Sequence, residues 1–290
     1  MASIGKYRKK IKSAKNIAKI TKAMQLVAAS KMKKAQNMAL SGKEYSDGIS
    51  NLTSILSRYM DKSLHPLIRN SVNSGSGRLV VLIAPEKGLC GSLVTNLGRY
   101  IRRLITSEQK RVEAVVVGNK AKQIAARLNL QVVAQFPLGL SYPTFDLAVP
   151  IARFIEEKFI SGSFGSIDVV YAEFINTMFQ EAKHETLLPL DVASNGSENM
   201  VQKQKGQYVF EPTASDIVNS LLKMYLETKI YHILLEAYAS EQSARMVAMK
   251  GATDNAKSLI GDLTLEFNKV RQSVITSEIL DIGNAAMAVS

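Results

Sequence analysis

Hydrophobic positions at the two ends of the chain recur every three or four residues, whereas those in the middle come as short continuous runs. Near the N-terminus Ile4, Tyr7, Ile11, Ala14 and Ala18 are followed by Ile17, Ile20, Met24, Val27, Ala28, Met32, Ala35 and Ala39, with no proline between Ile4 and Ser57. These steps predict one long amphipathic helix, with Gly42 and Gly48 weakening its last turns. Beyond Thr213 there is again no proline. A seam spaced four and three runs through Ile217, Leu221, Met224, Thr228, Tyr231, Leu235, Tyr238, Gln242, Arg245, Met249, Ala252 and Ala256, then shifts by one to Ile260, Leu263, Phe267, Val270 and Val274. Heptads sustained over this length predict a helix of about seventy residues, roughly 105 Å at ~1.5 Å per residue, which outruns any domain this chain could form. Each end helix needs a partner for its stripe, and the other end supplies one.

The middle follows a different pattern. "RLVVLIA" (78–84), "VEAVVVG" (112–118), "LQVVAQF" (130–136), "IDVVYAEFI" (167–175) and "QEAKHETLLPL" (180–190) are strand-like runs, and helical stretches fall at Ser92–Thr106, Asn119–Leu128 and Thr144–Ile160, with Pro150 a kink candidate. Strands alternating with helices predict a mostly parallel sheet covered on both faces, the last strand being a candidate antiparallel edge. The expected fold is therefore α/β. A long antiparallel coiled coil of the N- and C-terminal helices (1–60 and 213–290) accompanies a central Rossmann-like domain (78–190), with a linker at 61–77 and a polar connector at 191–212.

Charge sharpens this picture. Residues 1–43 hold twelve Lys or Arg and no acid, while the remaining residues carry 25 of each sign, so the net charge of +12 belongs entirely to the first helix. One positively charged element, not a basic coat, follows from that distribution. The acid-free N-terminus resembles an organelle presequence, but it favours Lys over Arg and its periodicity runs too far. Nucleic-acid binding would explain the basic helix, yet Tyr7 is its only aromatic before residue 45 and the C-terminal helix is charge-mixed.

Candidate chemistry is sparse. The loop "PEKGLCG" after the first strand lacks both GxxxxGK[ST] and GxGxxG, and Glu86 would repel a phosphate, so a tight structural turn is the better reading. Cys90 is the only cysteine, with His184 its one candidate base; His65, His184 and His232 show no metal-ligand spacing. Thr228, Gln242 and Arg245 interrupt the apolar seam. They either set register or contact other chains, and periodicity does not separate the two. The tail "SEILDIGNAAMAVS" ends in an apolar tip, suited to an apolar socket.

Three stretches, "IKSAKNIAKITKAMQLVAASKM", "KGLCG" and "SEQSARMVAMKGATDNAKSLIGDLTLEFNKVRQSVITSEILDI", make the whole chain resemble the gamma subunit of the F-type ATP synthase. "PEKGLCG" departs from the more usual Ser-Asp form, and the tail "GNAAMAVS" from a Gly-Gly-Ala or Ser-Gly-Ala pattern. The cysteine-bearing insertion of the chloroplast type is absent, so no thiol control is implied. The resemblance implies a non-catalytic rotor subunit, without cofactor or metal, of a hetero-oligomeric ion-driven motor. It would sit peripherally on the cytoplasmic face of the bacterial plasma membrane and couple rotation of the membrane c ring to cycling of the catalytic beta subunits. Its implied partners are the alpha and beta chains of an alpha3beta3 ring, epsilon and delta, and the c ring, with no nucleic acid and no small-molecule substrate. By position in the matching motifs, Lys22 and Met24 would meet an acidic lever loop of beta. Gln242, Arg245, Arg271, Gln272, Thr276 and Glu278 would make polar contacts with beta.

Overall fold

The computed structural model describes residues 2–56, 66–68, 77–106, 111–139, 141–190 and 214–289. The expected linker (61–77) and connector (191–212) fall almost entirely outside these, as do Pro212 and Thr213. Contacts divide the chain into two units: Ala29–Ala244, and Met1–Ala28 with Arg245–Ser290. Helix α1 (Ala2–Leu56) and the last helix, α5 (Ala214–Val289, 76 residues), each contribute to both.

The larger unit is built on β1 (Gly77–Ile83), β2 (Val112–Val117), β3 (Gln131–Phe136), β4 (Phe164–Phe174) and β5 (Gln180–Leu188), with α2 (Leu93–Thr106), α3 (Asn119–Arg127) and α4 (Phe145–Ile160) between them. The sheet order is β3-β2-β1-β4-β5. β1 pairs in parallel with β2 and β4, β2 in parallel with β3, and β5 closes the edge antiparallel to β4. Alternation along the strands divides the core. Val80, Leu82, Ala114, Val116, Val170 and Ala172 face α2 and α3, while Leu79, Val81, Ile83, Val115, Val117 and Val169 face α4 and the first part of α5. Apolar runs in the sequence reflect this burial on both sides. α4 continues through Pro150.

One turn depends on a glycine. Gly118 has φ +91°, and a Cβ there would lie 2.2 Å from the carbonyl oxygen of Ala84. Backbone after β1 and backbone after β2 therefore touch, which only glycine permits.

The stripes expected on the two long helices are partly displaced. In the sheet unit, Val218, Leu222, Leu226, Ile230, Ile233, Leu234 and Ala237 of α5 are buried in the core under the sheet, whereas Met224 of the expected seam is 42% exposed. The helix is apolar on more than one face here because it must satisfy a sheet as well as a helix. Ala35 of α1 packs with Tyr238 and Ala239 of α5 and with Phe174. Gly42 breaks nothing: its missing Cβ would lie 3.1 Å from the His232 ring, so the glycine admits α5 to close approach.

In the second unit α1 and α5 run antiparallel. The Arg8 guanidinium lies 5.8 Å from the centroid of the Phe267 ring, and the Thr21 and Thr253 hydroxyls are hydrogen-bonded at 2.7 Å. Ala14, Thr21, Ala28, Met249, Thr253 and Ala256 are buried there. Ile17, Ile20 and Val27, expected on the stripe, are 50%, 60% and 56% exposed. Small side chains let two helices approach closely, and the seam selects alanine and threonine over the bulkier residues beside them.

Candidate functional site

In an open α/β sheet, ligands bind at the carboxyl ends of the strands where the strand order reverses. Here that crevice lies between β1 and β4. It is filled by the chain itself: Ala237 and Glu241 of α5 lie against Ile83, Ala84, Pro85, Leu93, Leu97, Leu138 and Ala172, leaving a space of about 10 Å³, room for about one water molecule. The amide end of α3, the next place a phosphate could go, is occupied by Glu86. Its carboxylate accepts from the Asn119 backbone N–H at 3.2 Å and from the Asn119 side-chain amide. Glu86 thus acts as the chain's own anion at this helix terminus, which gives the departure from the usual loop sequence a structural role.

Cys90 is buried, following Leu89 at φ +64°. His184 stands on β5 and shares a 2.7 Å hydrogen bond with the Tyr100 hydroxyl, which engages the base that the cysteine would have needed. Among the described residues no group of three or more His, Cys, Asp or Glu could hold a metal ion.

Polar groups that sequence reasoning missed join the strands to one another and tie α5 to the sheet edge. Asp168 of β4 is buried and ion-paired with Arg78 of β1, and it accepts from the Thr186 hydroxyl at 2.7 Å. Lys183 meets Glu173 at 2.5 Å across β4 and β5, and Lys229 of α5 meets Glu185 at 2.8 Å. Between them Glu236 bonds with the Tyr171 hydroxyl and accepts the Phe174 backbone N–H. Burial, reinforced by the charge of Glu173, raises the Glu236 carboxyl above its ordinary range, and burial with the same acids raises the Tyr171 phenol. The hydrogen bond to Glu173 holds the Lys183 ammonium in its charged form. That β4 and β5 are strands was visible in the sequence, but not that α5 would lay an acid against them.

The residues expected at an interface divide by burial. Lys22, Arg271, Gln272, Thr276 and Glu278 are exposed, Met24 and Arg245 are half-buried, and Gln242 is 3% exposed with its amide donating to Glu241 at 3.1 Å. Lys22 reaches Gln25 at 3.3 Å. Gln272 and Thr276 stand one turn apart, the threonine hydroxyl donating to the Gln272 carbonyl at 2.9 Å. The structure thus leaves Arg271–Glu278 open along α5, and places Gln242 inside the sheet unit. Lys6, Lys9, Lys10, Lys12, Lys15, Lys19 and Lys33 are exposed along α1, and the Lys34 ammonium lies 4.0 Å from the centroid of the Tyr142 ring.

A family model described as ATP synthase matches residues 3–289. The ATP synthase gamma chain of Dehalococcoides mccartyi (strain CBDB1) is 41% identical over 295 residues, covering all of both chains. The chain belongs to the ATP synthase gamma chain family. Among solved structures, the central stalk and c ring of Tetrahymena thermophila mitochondrial ATP synthase contains a chain that matches 80% of this gamma chain and 99% of its own length, at 26% identity and TM-score 0.62. A chain of the Euglena gracilis mitochondrial enzyme (OSCP, F1 and c ring, rotational state 3) shares the fold over 99% of this gamma chain and 95% of its own, at 18% identity and TM-score 0.68. Among the described residues, no helix of the gamma chain is long and apolar enough to cross a membrane.

Proposed function

We propose that the chain is the non-catalytic central rotor of a rotary ATP synthase. It takes torque from a membrane c ring and delivers it to the beta subunits of an alpha3beta3 ring, which make or hydrolyse ATP. The observation that carries this reading is that α5, one continuous helix of 76 residues, both fills the sheet's ligand crevice and pairs with α1 in the second unit. A fold that closes its own crevice with a helix gives up ligand binding there and gains a fixed grip on that helix. Turning the sheet unit then turns the helix.

Asymmetry of the helix pair makes rotation informative. Lysines stand out along α1, while exposed α5 residues between 254 and 278 mix acids and bases. Each beta subunit therefore meets a different chemistry as the pair turns, and differential contact is what shifts a conformational equilibrium. Lys22 and Met24 would face an acidic loop of beta, and Arg245, Arg271, Gln272, Thr276 and Glu278 would make polar contacts with beta. Gln242 would hold α5 in place at the edge of that interface. Epsilon, delta and the c ring complete the partner set, and the complex would stand on the cytoplasmic face of a bacterial membrane.

Co-assembly tests this reading. Alpha and beta chains mixed with this protein should form a stable complex whose ATPase depends on it, and titration calorimetry of the chain alone with ATP should show no binding. ATP binding by the isolated chain, or ATPase unaffected by its omission, would overturn the proposal.

A further inference from the structure

Two of the helices that cover the sheet carry charge of one sign. α2 holds Arg99, Arg102 and Arg103, α3 holds Lys120, Lys122 and Arg127, and neither contains an acid. α4, on the opposite face of the sheet, carries Asp146, Glu156 and Glu157 against Arg153 and Lys158. The balanced charge of the chain after residue 43 therefore conceals a sorting of charge between the two faces of the sheet unit.

This sorting produces a surface. α2 and α3 lie side by side, since a Cβ at Gly98 would stand 3.9 Å from the Ile124 side chain. α2 buries Leu93, Leu97 and Ile101. At about 100° per residue, its three arginines fall within an arc of roughly 100° on the side opposite those three. Arg99, Arg102, Arg103, Lys122 and Arg127 are exposed and form no ion pair among the described residues; Arg99 reaches only Asn96, at 3.5 Å. No large hydrophobic side chain on either helix is exposed.

We propose that this two-helix face docks on an anionic phospholipid surface, an interaction that does not depend on the function proposed above. Charge complementarity selects the occupant. A protein interface depletes charge at its centre and places aromatic or aliphatic anchors there, and this face does the reverse. A headgroup layer needs no such anchor, because its phosphates are dense and mobile, and each Lys or Arg held near it strengthens partition by about fivefold. Four of the five exposed cations are arginines, whose paired N–H donors match two phosphate oxygens.

Co-sedimentation of the full chain with vesicles tests this, comparing pure phosphatidylcholine with an equimolar mixture of phosphatidylcholine and phosphatidylglycerol. The chain should sediment with the anionic vesicles and not with the neutral ones, and added salt should release it. The R99Q/R102Q/R103Q variant should keep its melting temperature, because its altered side chains are exposed, and should bind at least ~tenfold more weakly. K9Q/K10Q/K15Q removes the same charge from exposed positions spaced around α1, which cannot all face one plane, and should weaken binding less than about threefold. Equal losses in the two variants would show attraction by net charge alone and overturn the assignment to α2 and α3. Unchanged binding by R99Q/R102Q/R103Q, or no binding of the parent to anionic vesicles, would overturn it as well. If the parent ignores vesicles but binds polyglutamate, and R99Q/R102Q/R103Q does not, the face belongs to an acidic protein and the lipid assignment falls.

Discussion

The sheet unit and the paired-helix unit are held together by different materials. In the first, Val80, Leu82, Val115, Val116, Ile151 and Ile167 are completely buried, packed among branched side chains from both faces of the sheet. In the second, the buried positions are mostly Ala14, Thr21, Ala28, Thr253 and Ala256, and the larger Ile17, Ile20 and Val27 lie outside. Burial is worth roughly 25 cal/mol per Å², so alanine seams contribute little per residue. The sheet unit therefore buries more apolar surface per residue than the helix pair does. A rotor needs both properties: one part rigid enough to receive torque and another that leaves side chains free for its surroundings.

The sharpest way to break this contrast is to truncate the strong side. Leu82→Ala, at a fully buried position between the sheet and α2, should cost about 3–5 kcal/mol in denaturant unfolding. A loss below about 1 kcal/mol would mean that the sheet unit is no better packed than the helix pair. Gly118→Ala should follow at about 2–4 kcal/mol, because it imposes both a left-handed backbone and a collision with the Ala84 carbonyl. On the weak side, Thr21→Val and Thr253→Val remove the two ends of one buried hydrogen bond. A double-mutant cycle should give a coupling of about 1 kcal/mol, with the double variant close to the parent. Coupling of several kcal/mol would show that the thin seam is much stronger than its side chains imply.

A smaller effect distinguishes the polar fastening of the sheet unit. Because burial and Glu173 raise the Glu236 carboxyl, the folded chain holds a proton there that the unfolded chain has already released. This contribution is fully present below the ordinary value of 4.5 and is lost as pH rises through the raised folded value. Glu236→Gln removes the loss, so its melting temperature should gain on the parent's as pH increases from about 4.5 toward neutrality. Parallel melting curves across that range would contradict the assignment. Smallest for stability is Lys22→Glu, expected within about 0.5 kcal/mol because the side chain is exposed, yet expected to lower ATPase of the assembled complex.

Strand positions were legible because residues buried on both faces must be apolar, and "VVLIA" and "VVV" permit little else. Burial on the long helices was less legible. Periodicity counts Ile17, Ile20 and Val27 as core alongside Ala14 and Ala28, but where two helices meet closely the available volume decides, and the two alanines, with the uncounted Thr21, fit it. The same limit affected α5, whose sheet-facing residues Val218, Leu222, Leu226 and Ile230 sit beside the heptad seam. Lys22 and the Arg271–Glu278 group stand on exposed helix faces. Gln242 is buried, because α5 at that level is packed within the sheet unit.

Single-molecule rotation shows whether the sheet unit turns with ATP hydrolysis. With Cys90→Ser and Ile160→Cys, the latter at an exposed position ending α4, a bead can be fixed to the sheet unit of the chain held in an immobilised alpha3beta3 ring. On addition of ATP the bead should turn stepwise in one direction. Vigorous ATP hydrolysis with a stationary bead would contradict the rotor function.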